Sequence, residues 1–222
     1  MKAKIAAWCS LLILLPGISN AQVQTAVPFL TLTISVEGNG MGGISASLIS
    51  GDAISAISNP AQLGLFGQDN LFSASTYTPK TMWLPSFGGD LSLDASAVTA
   101  GLRLDRYMKL PAAISIGIGY LHVYFDLGTF NQTLINNPTV IYTWYAFEKA
   151  DMLAFGIEIN YFVKFGLGYS YKWIDSQLAP FGAGQANASG ATKAPAHDFG
   201  TLLQIPVVNI VSRLRHKPLA GC

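Results

Sequence analysis

Between residues 153 and 173 the chain alternates without a break. Leu153, Phe155, Ile157, Ile159, Tyr161, Val163, Phe165, Leu167, Tyr169, Tyr171 and Trp173 are apolar or aromatic, and the set between them includes Gly156, Glu158, Asn160, Lys164, Gly166, Gly168, Ser170 and Lys172. A period of two belongs to a β-strand, whose successive side chains point to opposite faces. At roughly 3.3 Å per residue the run would extend about 70 Å, far beyond the roughly ten tilted residues with which a strand crosses a bilayer. The run is therefore expected to fold back as a hairpin. Directly opposed residues share a face, so an odd number of loop residues keeps the apolar set on one side, and "NYFVK" at 160–164 is the expected bend. If the odd set meets lipid, arginine at Ile157 should be costly, while Gly156→Ser and Ser170→Asn, in the opposite set, should be mild.

Composition restricts the setting of such strands. Half of the residues are hydrophobic and 11% are charged, with a mean hydropathy of +0.38, where soluble domains carry about 25% charged residues. Past residue 21 no apolar stretch of 18 residues occurs, so the excess is not packaged as membrane helices. An antiparallel transmembrane β-barrel resolves the conflict, because lipid-facing apolar residues alternate with small or polar lumen-facing ones. The alternative is a soluble secreted or periplasmic β-barrel or sandwich binding an apolar ligand, which shares the alternation but normally carries more surface charge.

Other segments extend the pattern. Ile114, Ile116, Ile118 and Tyr120 oppose Ser115, Gly117 and Gly119, after which Leu121, Val123 and Phe125 make both faces apolar. Residues 91–97 are apolar at odd positions, but Leu102 and Leu104 reverse the phase around Arg103, as a bulge or a strand end would. Tyr120, Tyr124, Tyr142, Trp144, Tyr145, Tyr169, Tyr171 and Trp173 gather toward run ends, where an interfacial girdle would lie. Residues 175–198 are rich in Gly, Ala and Pro without periodicity and are expected to form an outward loop.

The first 21 residues read as an address. Lys2 and Lys4 precede an apolar run of about 11 residues that ends at Pro16-Gly17, and Ser19-Asn20-Ala21 fits a cleavage site before Gln22. Removing this signal peptide leaves Cys222 as the single cysteine, so no disulfide forms within one mature chain.

Three short motifs carry a family likeness. The glycine-rich "GNGMGGISAS" holds Gly38, Gly40, Gly42 and Gly43; "SGDAISAI" places an acidic residue among small ones; and "ISNPAQLGLF" holds Asn59, Pro60 and Ala61. Followed by hairpins, they resemble the N-terminal region of the FadL/PorV superfamily of bacterial outer-membrane barrels. The later "FGLGYSYKWIDSQL" and "APAHDFGTLLQIP" resemble the PorV branch, and the likeness spans residues 22–212. It implies an N-terminal hatch within the barrel at 22–66, barrel strands at 67–212, and a role for Asn59, Pro60 and Ala61 in turning the chain from plug into wall. It also implies export to the outer membrane of a Gram-negative bacterium and contact with outer-membrane lipid. The service implied is either secretion and surface attachment of proteins, with secretion-system partners, or passage of hydrophobic small molecules. Family members carry several more strands, whereas residues 213–222, "RLRHKPLAGC", form an atypical tail, which implies an incomplete, C-terminally truncated barrel.

Rival chemistries have thin support. Gly38, Gly40 and Gly43 match the spacing of a dinucleotide-binding turn, but Ser50-Gly51 and Pro60 interrupt the helix it requires and no βαβ rhythm follows. His122 and His216 are isolated, His197-Asp198 fall in the expected loop, and no spacing suggests zinc or a nucleophile elbow. A net charge of +1 without a basic stripe argues against nucleic acid. No catalytic, cofactor-binding or metal-ligating residue is assigned, and a non-enzymatic role is expected.

Overall fold

The structure, a computed structural model, describes residues 27–44, 46–47, 50–54, 58–69, 71–78, 91–108, 110, 112–134, 136–180 and 190–205. The expected signal peptide, the cleavage site and the 213–222 tail lie outside the described residues. The chain divides into two compact units, Met1–Thr31 and Leu32–Cys222. The described part of the first contains a 3-10 turn, Pro28–Thr31. The second holds helices α1 (Val36–Gly40) and α2 (Gln62–Asp69) and strands β1 (Phe72–Tyr77), β2 (Ser92–Arg103), β3 (Ala113–Leu134), β4 (Asn137–Asn160), β5 (Lys164–Gln177) and β6 (Ala191–Gln204).

The protein is all-β in its main architecture: the six strands form one antiparallel sheet in sequence order, each joined to the next. The sheet is open. β1 and β6 are its edges among the described residues and do not pair with each other, so these strands do not close a barrel. The six strands of the described residues are fewer than the roughly eight of the smallest transmembrane barrels.

The hairpin read from the alternation is β4–β5. Asn160 pairs with Lys164, Ile157 with Leu167 and Phe155 with Tyr169, which leaves a three-residue turn, 161–163. The odd count keeps both apolar sets on one face. Phe155, Ile157 and Leu167 are 45%, 41% and 45% exposed, while Glu158 and Ser170 on the opposite face are fully buried.

One expectation fails. Asp175–Gln177 close β5 and residues 191–198 open β6, so 175–198 is not one loop. Gly, Ala and Pro give no periodic signal, but an edge strand needs only backbone pairing and accepts Pro195, placed opposite Trp173. The phase reversal near Arg103 lies within β2, which pairs without a bulge as far as Arg103: Leu93, Ala95 and Ala97 are buried on the inner face and Leu102 stands on the outer one, and a 3-10 turn, Leu104–Arg106, follows. Arg103 Nε binds both carboxylate oxygens of Asp105 at 2.7 and 2.9 Å, and this hydrogen bond holds the Asp105 carboxyl below its usual range.

The two faces of the sheet differ. On the outer face, away from α2, residues align in rows across the strands. Upward from the short turn the rows read Ile114–Ile159–Phe165–Leu203, then Leu102–Ile116–Ile157–Leu167–Thr201. Next come Ala100–Ile118–Phe155–Tyr169–Phe199 and Val98–Tyr120–Leu153–Tyr171–His197. Above these, polarity sets in with Ser96–His122–Asp151–Trp173–Pro195 and Asp94–Tyr124–Lys149–Asp175–Lys193. The upper rows are laced by Tyr120 and His122 on Asp151 (2.6 and 2.8 Å) and by Lys149 and Lys193 on Asp175 (3.5 and 3.3 Å). The inner face reverses this order, with Leu93, Ala95, Leu121, Val123 and Met152 buried at the upper level. That exchange is why β2 and β3 read as apolar on both faces.

Above Asp126 and Phe147, β3 and β4 continue as a ribbon without β2 or β5 beside them. A bulge at Leu127, with Gly128 at φ +78, shifts the parity of β3 there. Phe130, Tyr142 and Trp144 consequently stack together at 5.9–6.0 Å, on the inner side and away from the outer aromatic row.

Candidate functional site: a helix seated on a row of glycines

Asn59-Pro60-Ala61 begins the segment that occupies the inner face. The Asn59 Oδ1 accepts from Ala61 N at 3.0 Å, Pro60 supplies the fixed φ of a first helical turn, and Gln62 N and Leu63 N return to Asn59 O and Pro60 O. The asparagine also ties the segment down. Its Nδ2 donates to Ala46 O at 3.0 Å and to Thr201 O of β6 at 3.1 Å. The motif thus leads into α2 rather than directly into a strand, and the sheet starts after it, at Phe72.

Every residue of α2 from Gln62 to Gln68 is buried, and the helix packs across β2, β3, β4 and β5. Such contact requires the sheet to have no side chains beneath it. Gly101, Gly117, Gly156, Gly168 and Gly200 pair in succession across β2 to β6, a straight line of five glycines. A Cβ at Gly117 would lie 2.1 Å from Leu63 O, at Gly156 2.6 Å from Gly64 N, and at Gly168 2.2 Å from Ala61 N. At Gly200 it would lie 2.1 Å from Asn59 Oδ1. The helix answers with its own glycines: a Cβ at Gly64 would meet the Ile157 carbonyl carbon at 2.5 Å, and one at Gly67 the Ile116 oxygen at 2.4 Å. Helix and sheet meet backbone to backbone, close enough for Cα–H···O contacts.

Polar side chains set the register of this contact. Ser115, fully buried, donates to Gly64 O at 2.6 Å. Gln68 Nε2 donates to Glu158 Oε1, and Asn160 Nδ2 reaches Gln68 Oε1 at 3.5 Å. The second carboxylate oxygen of Glu158 has no partner among the described residues. Further along the inner face, Lys172 Nζ lies 2.5 Å from Asp198 Oδ2 and Ser170 Oγ 3.4 Å from the same oxygen, while His197, on the outer side, meets the Tyr169 hydroxyl at 2.7 Å.

This geometry corrects one expectation. Gly156→Ser and Ser170→Asn would not be mild, because the position opposite the apolar set is the seat of α2 at Gly156 and a fully buried, hydrogen-bonded site at Ser170. The period of two identified the face, but not what lies against it.

The other motif residues sit apart from the seat. Gly38 and Gly40 belong to α1, capped by Ser35 Oγ on Gly38 N at 3.2 Å. Gly42 and Gly43 adopt φ of +78 and +87 and end the helix, with Gly43 N on Gly38 O and Gly42 N on Asn39 O, the pattern of a Schellman cap. The glycines therefore end a five-residue helix instead of forming a strand-to-helix phosphate turn. The acidic residue of "SGDAISAI", Asp52, accepts from the Ser75 hydroxyl of β1 and from Ile54 N, while Ser50 donates to Glu37 Oε2 at 2.8 Å. These contacts hold the α1 region to the β1 edge.

Sequence reasoning found Asn59, Pro60 and Ala61 but missed Gly117, Gly156, Gly168 and Gly200 as a set, together with Ser115, Gln68 and Glu158. Their signal is the coincidence of glycines once the strands are in register. No family model, curated protein or solved structure matches the chain.

Removing the side chain of Asn59 would leave Ala61 N unpaired beneath the helix and detach it from β6. Asn59→Ala is expected to cost about 1–3 kcal/mol, the penalty for a stranded buried group. Denaturant titration of the folded protein checks this, and an unchanged midpoint would show that the asparagine does not pin the segment.

Proposed function

We propose that the chain is part of an outer-membrane β-barrel of the FadL/PorV type, with α1 and α2 belonging to a hatch inside the wall formed by β1–β6. The banded outer face carries this reading. Four consecutive rows made mainly of apolar and aromatic residues are followed by a row with Trp173 and Asp151 and then by a charged row, while Tyr161 and Phe162 stand exposed at the opposite end. From Tyr161 to the level of Asp151 is about 33 Å along the strand, and at a tilt of about 40° this gives a height near 25 Å, that of a barrel's apolar belt with its aromatic borders. A soluble β-protein would leave this face unburied, an apolar surface larger than monomers ordinarily expose. Among the described residues no helix is long and apolar enough to cross a membrane, so the strands are the candidates for spanning it.

The seat of α2 favours one service over the other. A helix in contact with the wall through backbone atoms on both sides behaves as a fixed plug, since any sliding drives Leu63 or Pro60 into a strand. This supports a role in protein secretion or surface attachment over passage of hydrophobic compounds.

Expressed in a Gram-negative host, the protein is expected to begin at Gln22, to sediment with outer membranes, to resist carbonate extraction and to change gel mobility on boiling. N-terminal sequencing and fractionation test this, and recovery in the soluble periplasm would favour the ligand-binding alternative. A deletion strain separates the two services: loss of surface proteins supports secretion, loss of hydrophobic-compound uptake supports passage.

A further inference from the structure

The outer face carries a furrow of about 920 Å³ directly behind the glycine row. Its floor is the backbone of Gly101, Gly117, Gly156, Gly168 and Gly200; on the other side Gly117 and Gly156 meet α2, and Gly168 and Gly200 meet Asn59-Pro60-Ala61. One bank is Ala100, Ile118, Phe155, Tyr169 and Phe199, and the other is Leu102, Ile116, Ile157, Leu167 and Thr201. Each bank is a row of directly paired residues, so the furrow runs straight across β2 to β6.

We infer that this furrow seats one acyl chain of a membrane lipid, an inference that rests on the membrane reading above. Three properties select the occupant. The banks are two residues apart, about 7 Å along the strands, which is too narrow for a helix about 10–12 Å across. A peptide strand is also excluded, because the floor's backbone groups are already engaged in the ladders and a peptide would bring polar groups that find no partner. Of the ten bank residues only Tyr169 and Thr201 carry a hydroxyl, and that of Tyr169 is bound to His197. What remains is an unbranched hydrocarbon without polar groups. Four inter-strand steps give a length of about 19 Å, room for a long acyl chain laid obliquely across the tilted strands. A seated chain and the hatch helix would then lie on opposite sides of a single layer of backbone.

The test uses the full chain folded into phosphatidylcholine vesicles doped with a phosphatidylethanolamine that carries a photoreactive diazirine in mid-chain. Cross-links should concentrate several-fold on Ile118, Phe155, Ile157 and Leu167 relative to Ile114 and Phe165, which face the same way one row lower. In the double variant Ile118→Trp, Leu167→Trp, which fills the furrow from both banks, the excess on Phe155 and Ile157 should vanish while heat-modifiable migration is retained. Even labelling of all outer rows, or an excess that survives the filled furrow, overturns the seated chain but leaves the membrane reading intact. Absence of label from every outer row overturns both.

Discussion

Gly168→Ala is expected to unseat α2. The added methyl group would lie 2.2 Å from Ala61 N and from the Pro60 carbonyl carbon, and backbone atoms of a pinned segment cannot rotate away as a flexible side chain can. The φ of Gly168 is not in the left-handed region, so alanine suits the strand and the whole effect is steric. The cost should reach or pass the upper end of the roughly 1–3 kcal/mol seen for overpacked cores. Denaturant midpoints and limited proteolysis of 46–69 give the comparison. Gly40→Ala is the control, since open space surrounds a Cβ there. Equal stability of the two variants would mean that α2 does not rest on the glycine row.

Arginine at Ile157 and at Leu167 should each lower stability by about 2–4 kcal/mol if these positions lie near the bilayer midplane. The two residues face each other across β4 and β5 and share the outer face. Tyr124→Arg, in the charged upper row beside Lys149, should cost far less, because the penalty falls to about 0–1 kcal/mol at the interfaces. Folding yields in vesicles measure all three. Arginine tolerated equally at the middle and upper rows would remove the case for a lipid-facing belt.

Much of the sheet was legible in the sequence. The alternation at 153–173 specified a strand pair, the odd turn and the shared face, because side-chain direction in a strand depends only on residue parity. The first part of β6 was not legible: residues 191–198 have no periodicity, and they become strand because β5 presents a complete row of backbone partners. Phe130, Tyr142 and Trp144 could not be assigned to a face from spacing, since a single bulged residue at 127 changes the parity of β3.

The candidate site divides along the same line. Asn59-Pro60-Ala61 announced a turn through local chemistry, an Asx acceptor followed by a fixed φ, and such chemistry acts within a few residues. That the turn opens a helix buried against four strands depends on partners as distant as Thr201, 142 residues away. The glycines at 117, 156 and 168 were each visible as small residues opposite an apolar set, whereas those at 101 and 200 were not. Their coincidence in one line follows from the register of four strand pairings, and only that line leaves room for α2. Residue identity along the chain determined which face of each strand was apolar; pairing across the sheet decided that the opposite face would hold a helix rather than open water.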